Sequence, residues 1–309
     1  MKKKVTLALT LSLLLFSWNC FAGNGTYTDS TPDLIDLHVM FMYDEPCFAG
    51  ANCTDWEKLF EEASKLLYDG TEKQVKFSKI YFYNNCLKAA NKADVKIYND
   101  TQGANAHVGG LGNPGWRIRL SQTHKTVTTS GGGDRGQFGL IHEMGHYAFG
   151  LKDEYQDKTG NSVADAYCID QNGKISSIMD GGTTITNKNE RHEFCWSGNH
   201  RTGHTEQDQK RTIGTTDYED TDCWTWIQAF VDHHYGTTLT LPTTDPTGDI
   251  SGFGDAPVFE YYDCGIRSAL CIDRSGSMSA AISLAKQGAK NFINMLEETD
   301  RAGVVSYSS

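Results

Sequence analysis

The stretch GQFGLIHEMGHYAFGLKDEY, residues 136–155, decides how this chain is read. Its apolar helical pattern predicts a helix that starts after the run Gly131 to Gly133, with Asp134 as cap, and stops at Gly150. Residues four apart on a helix stand about one turn apart on the same face. His142 and His146 can therefore aim one imidazole nitrogen each at a single ion, with Glu143 beside them. Two neutral imidazoles and one further protein ligand would leave zinc an open fourth position for water. Glu143 is then placed to take the proton from that water and pass it to a leaving amine.

The third ligand must come from outside the helix. The chain can turn sharply at Gly150, so a residue three beyond it could swing back beneath the metal; Asp153 is the first choice and Glu154 the second. Glu190, Glu193 and Glu206 are the fallback candidates. Other histidines, His192, His200, His204, His233 and His234, are expected to be solvent-facing or hydrogen-bonded rather than ligands.

Outward from this segment, the N-terminus reads as a secretory signal over residues 1–22. Lys2, Lys3 and Lys4 precede the apolar run Val5 to Phe16, which is too short to span a bilayer, and Cys20-Phe21-Ala22 suits cleavage before Gly23. A short Lys-rich signal points to a bacterial protein, secreted or periplasmic. Of nine cysteines, the eight beyond the signal (Cys47, Cys53, Cys86, Cys168, Cys195, Cys223, Cys264 and Cys271) form an even set, read as disulfides in an oxidising compartment. Cys47 and Cys53 could close a small loop, and a metal role for the cysteines is discounted because no CxxC pair exists. Loss of the signal, with its three lysines and no acids, takes the formal charge from -11 to -14. So acidic a chain disfavours nucleic acid and polyanionic membrane surfaces and suits divalent cations.

Before the histidine helix, 35–42 reads as a strand, 56–68 as a helix, and 75–83 and 93–98 as strands, with Val75, Phe77, Ile80 and Phe82 facing inward. The order predicts an α/β (α+β) fold, a mixed sheet with helices packed on it. A short strand is expected at 116–120 within the Gly-rich region 99–134. Residues 159–219 are polar and irregular, with disulfides expected to order them, and 223–235 is helical. The expected organisation is a signal (1–22), a metalloprotease-like domain (23–240), a linker (241–262, rich in Pro, Gly and Thr) and the start of a second domain (263–309). That last part reads as a strand at 268–272, a polar loop, an amphipathic helix at 280–296 and a strand at 303–307. One such unit cannot bury a core by itself, so a longer protein is expected.

HEMGHYAFGLKDEY has the form HExxHxxxGxxDE and resembles the N-terminal catalytic domain of the calcium-activated chloride channel regulator (CLCA) family, secreted proteins similar to metzincin-type zinc proteases. The resemblance extends to TEKQVKFSKIYFY and ADVKIY before the helix, and to Ser177-Ile178-Met179 and Glu193-Phe194-Cys195 after it. It implies an aspartate zinc ligand at Asp153. It also implies a methionine turn at SSIMDGG, with Met179 as an apolar floor under the histidines; the alternative is a buried methionine ending a short strand. Met144 and Gly145 depart from the bulkier Trp of the family inside the motif, so cleft shape is not carried across.

The loop Asp273-Arg274-Ser275-Gly276-Ser277 follows a strand, so one carboxylate and two hydroxyls (Asp273, Ser275, Ser277) can converge on Mg²⁺ or Ca²⁺. It resembles the DxSxS adhesion site of a Rossmann-like von Willebrand factor type A domain. The resulting expectation is an exported zinc metalloendopeptidase with Glu143 as base and His142, His146 and Asp153 as ligands. Its substrates would be extracellular proteins or peptides and, as the resemblance implies, its own chain, and a type A domain would bind an extracellular protein. The alternative is a non-catalytic adhesion protein that keeps the protease fold as a scaffold. Channel activity is disfavoured because no segment is long and apolar enough to span a membrane.

Overall fold

The computed structural model describes residues 25–49, 53–84, 86–127, 136–156, 159, 168, 177–180, 193–200, 205–244, 250–263, 267–273, 282–295 and 301–307. The signal segment 1–22 lies outside them. Among the described residues no helix is long and apolar enough to cross a membrane.

The main body is a mixed sheet of seven strands with helices against one face. Strands β2 (Asp33–Phe41), β3 (Val75–Asn84), β4 (Val95–Tyr98), β6 (Ile118–Ser121) and β9 (Val258–Asp263) run parallel in the order β6-β4-β2-β3-β9. β1 (Thr26–Thr28) and β5 (Asn105–Ala106) add antiparallel pairs to β2 and β6, and β7 (Arg211–Ile213) and β8 (Thr216–Tyr218) form a separate antiparallel pair. Parallel neighbours need a crossover, and helix α1 (Thr54–Gly70) supplies the one from β2 to β3. The inward set Val75, Phe77, Ile80 and Phe82 is buried as expected. It breaks strict alternation between Phe77 and Ile80 because the register with β2 shifts there, Ile35 facing Phe77 and Leu37 facing Ile80.

The linker expected at 241–262 is not wholly a connection. Its end, Val258–Asp263, becomes the edge strand β9 beside β3, with Phe259 stacked on Phe82 at 5.8 Å. Strands β10 (Arg267–Asp273) and β11 (Arg301–Tyr307) pair in parallel in a separate two-stranded sheet around helix α4 (Ile282–Met295), the strand-helix-strand order read from the sequence. Side chains of α4 stay open, Leu284 being 75% exposed.

One core joins the inner face of β2 (Ile35, Leu37, Val39, Phe41) to Trp56, Leu59 and Phe60 of α1 and to Leu140, Ile141 and Met144 of helix α2 (Gly136–Phe149). On the other face Met40, Tyr83, Cys86 and Ala93 form a smaller cluster. α2 is the expected histidine helix; its expected cap, Asp134, lies outside the described residues. Helix α3 (Cys223–Tyr235), capped by Asp222 at 2.9 Å, finishes α2. A helix end leaves carbonyls without intrahelical partners. Here Tyr235 donates its hydroxyl to the Ala148 carbonyl (2.6 Å), Trp226 its indole N–H to that of Phe149 (3.0 Å), and Arg211 a guanidinium N–H to that of Gly150 (2.7 Å).

Asp94 ties the sheet to this helix. Its buried carboxylate accepts the backbone N–H of Gly25 (2.9 Å) and of His38 (2.8 Å) and the hydroxyl of Tyr147 in α2 (2.8 Å). Burial pushes its carboxyl from the ordinary 3.8 up to about 7, although these donors pull the other way. The unfolded chain therefore loses this proton above pH 4 or so, while the folded chain holds it to about 7. Stability from this group is full below that window and is lost as pH rises through it, by up to about 4 kcal/mol. In urea unfolding between pH 4 and 7.5, Asp94→Asn should flatten this part of the pH profile while lowering stability throughout. Parallel profiles for the two proteins would sink the assignment.

Candidate metal centre

α2 is buried almost all round, from Gly136 to Phe149, so its histidines sit in packed protein. Neither imidazole is free to rotate. His142 Nδ1 lies 3.0 Å from the Ile178 carbonyl and His146 Nδ1 2.9 Å from the Leu151 carbonyl. A carbonyl only accepts, so each Nδ1 carries the hydrogen and each Nε2 is left for another partner. Both Nε2 atoms point to one atom, Asp153 Oδ1, at 3.2 Å each. Gly150 makes this possible: its φ of 65° ends the helix and returns the chain, with the Leu151 N–H on the Gly145 carbonyl.

His142, His146 and Asp153 thus come together as a group able to hold a metal ion, with Asp153 in the place anticipated. Burial alone would lower the His142 pKa, but the hydrogen bond that its protonated ring donates to Asp153 and the charge of Glu143 outweigh it and raise it to about 9. For Asp153 burial acts upward, yet its bonds to His142 and His146 hold it well below the usual carboxylate range. Positive charge is thus favoured between the imidazoles and the carboxylate, which is what a divalent cation would supply. Glu143 is buried beside His142.

The segment Ser177–Asp180 passes against this helix. Met179 is fully buried, and a Cβ on Gly145 would lie 2.4 Å from its sulfur. The glycine inside the HExxH motif is therefore the space that Met179 fills. The turn is held in turn by the Ile178 N–H on the Glu193 carbonyl (2.7 Å) and the Glu154 N–H on the Met179 carbonyl (3.2 Å).

Other candidates lie elsewhere. Glu154 does not join His142 and His146; its carboxylate faces Cys168, Cys195 and His200. Glu193 meets the Met179 turn through its backbone, and Glu206 pairs with Lys152 at 3.0 Å. Glu190, His192 and His204 lie outside the described residues, and His233 and His234 are exposed on α3. Asp273 ends β10, with Ser275 and Ser277 outside the described residues, so the DxSxS loop has no geometry to compare.

The cysteine expectation needs correction. Cys47 and Cys53 are bonded, and Cys86 is also in a disulfide, but Cys168, Cys195 and Cys223 are buried free thiols. Cys168 and Cys195 gather with Glu154 and His200 into a second group able to hold a metal, which reopens the cysteine metal role that the spacing had discounted; of the two expectations for His200 the hydrogen-bonded one holds, its Nε2 lying 2.7 Å from Asp208 Oδ1. The signal for it was present as Cys195 and His200 in one short polar segment and an acid beside Asp153. No spacing rule predicted their meeting, because Cys168 is remote in sequence.

Comparison of the chain with family models and with curated proteins finds no match.

Gly145→Ala should lower stability by about 1–3 kcal/mol, because the added methyl overpacks against Met179. Thermal unfolding of a cycle with Met179→Ala should give a double variant less destabilised than the sum of the singles. Additive effects would mean that the two residues do not share the space.

Proposed function

We propose that the chain is an exported zinc metalloendopeptidase. The observation that carries this reading is the convergence of His142 Nε2 and His146 Nε2 on Asp153 Oδ1, each imidazole locked by a backbone carbonyl. Two imidazoles and one carboxylate form a donor set that suits zinc with an open position. His142, His146 and Asp153 would hold it, and the bound ion would supply Lewis acidity toward water and a substrate carbonyl.

The protein's own contribution is order and proton handling. The Ile178 and Leu151 carbonyls fix the imidazole tautomers, and Asp153 brings the negative charge that a doubly charged ion needs. Glu143, adjacent in sequence to His142 and buried next to it, would accept a proton from the attacking water and deliver it to the departing amine. The HExxHxxxGxxDE resemblance to the CLCA catalytic domain supports the same assignment and extends it to a methionine floor at Met179, whose burial against Gly145 fits that role. It also supports self-processing, export, and a type A domain holding Mg²⁺ or Ca²⁺ through Asp273, Ser275 and Ser277.

The test is paired, on the full chain: zinc content, and cleavage of an unfolded protein and of the chain itself, for wild type and Glu143→Gln. Zinc retained with cleavage reduced about 10²-fold or more is expected, the size of a lost general base. Wild-type protein that holds zinc and cleaves nothing would favour the scaffold reading.

His142→Ala should cost more than the base. It removes a ligand and leaves the half-buried Asp153 charge without one of its partners, so zinc content and stability should fall together, whereas Glu143→Gln should leave both near wild type.

A further inference from the structure

Three buried thiols in a chain that also makes disulfides call for an explanation. They lie within reach of one another around a fully buried carboxylate. Glu154 Oε1 is 2.7 Å from Cys195 Sγ, 3.2 Å from Cys168 Sγ and 3.5 Å from His200 Nδ1. His200 Nδ1 is 3.4 Å from Cys195 Sγ and 3.5 Å from Cys168 Sγ. Donor atoms at zinc bonding distances of about 2.0–2.3 Å in a tetrahedron stand roughly 3.3–3.8 Å apart. Four of these five edges fall at or close to that range, and the fifth, to Cys195, is shorter.

The surroundings fit a ligand set. His200 Nε2 is 2.7 Å from Asp208 Oδ1, and Asp208 in turn accepts the N–H (2.8 Å) and hydroxyl (3.0 Å) of Thr205. This carboxylate–histidine pair turns the lone pair of Nδ1 toward the sulfurs, the outer-shell arrangement of metal-bound imidazoles. The Cys223 N–H donates to Cys195 Sγ at 3.2 Å, a bond that a metal-bound sulfur there would accept. A buried carboxylate and several sulfurs facing one another without a cation would repel once ionised; an ion repays that cost.

We propose that Glu154, Cys168, Cys195 and His200 form a second, closed zinc centre, separate from the histidine site, and that it positions Asp153 through the adjoining Glu154. Soft sulfur with imidazole selects zinc over calcium or magnesium, and four protein donors leave no open position, so the centre is structural. The two thiol protons leave to solvent as the metal binds. Capping by metal also explains why Cys168 and Cys195 stay unpaired in a chain with a Cys47–Cys53 disulfide, and it leaves Cys223 no free thiol among the described residues to pair with. The loop carrying both acids is clamped from the same side: the Lys152 N–H donates to Gln207 Oε1 (2.9 Å), the Gln207 N–H to the Asp153 carbonyl (3.1 Å), and the Glu206 N–H to the Gln156 carbonyl (2.7 Å). Asp208, which orients His200, belongs to that same short segment.

Cobalt distinguishes the two centres, because a thiolate-to-cobalt charge-transfer band can arise only where sulfur binds. On the full chain, metal content of about two per chain is expected. The band should persist in His142→Ala, lose half or more of its intensity in Cys168→Ser and remain in Cys223→Ser. Cys168 and Cys195 should resist alkylation until a chelator is added. Absence of the band from wild type, or a disulfide between any two of the three cysteines by mass spectrometry, overturns the centre; should Cys168→Ser fail to fold, the wild-type and His142→Ala spectra decide. The positioning role predicts that Cys168→Ser weakens metal binding at the histidine site about 10- to 100-fold; unchanged affinity there overturns that role. Two metals bound with no peptide cleavage would count against the protease reading alone.

Discussion

One carboxylate oxygen, Asp153 Oδ1, placed 3.2 Å from two imidazole nitrogens, is the contact that the rest of the site serves. It can form only if helix α2 stops at one residue and the chain reverses there. Gly150 meets that need with a positive φ that costs other residues strain. A side chain at this position would also strike Phe230 of α3, since a Cβ would lie 2.6 Å from its ring. The reversal is thus fixed by backbone freedom and by packing together. The carbonyls freed at the helix end are taken by Tyr235, Trp226 and Arg211, all contributed by later segments.

This explains the composition of α2. A helix that is apolar nearly all round belongs inside the protein, not on its surface. The sheet core presses on Leu140, Ile141 and Met144, the Met179 turn occupies the notch at Gly145, and Tyr147 reaches the buried Asp94 between strands. His142 and His146 look out of the packing on one side, where Nδ1 is tied down and Nε2 is presented. Rigidity is bought with buried polar groups, each answered by a partner from a different part of the chain.

Much of this was legible in the sequence. Helical spacing and two glycine boundaries marked α2, and the inward residues of β3 could be named because apolar positions persist through the register shift at Ile80. The Asp153 assignment followed from the reach of a chain turning at Gly150. What could not be read depended on distant pairing. Val258–Asp263 sits behind proline and glycine residues that signal a connection, and it is a strand only because the edge of β3 is open to receive it. Even-numbered cysteines suggested disulfides, but the count does not reveal which thiols meet a carboxylate and an imidazole instead.

The neighbouring acids Asp153 and Glu154 are where the two readings of the site meet. One faces two imidazoles and is half-buried, the other faces sulfur and His200 and is removed from solvent altogether. Burying adjacent like charges is unfavourable unless each has its own counter-charge. An aspartate–glutamate pair that served only one metal could leave its second member in water, as most surface acids are. Here Glu154 is fully buried, and its N–H holds the Met179 turn that in turn receives His142 through the Ile178 carbonyl. A shift of Glu154 would therefore reach the histidine site along two short paths, a covalent one through Asp153 and a hydrogen-bonded one through the turn. That geometry ties the polar, irregular half of the chain to the chemistry of the helix, and it gives the thiol cluster a mechanical reason to exist beyond filling space.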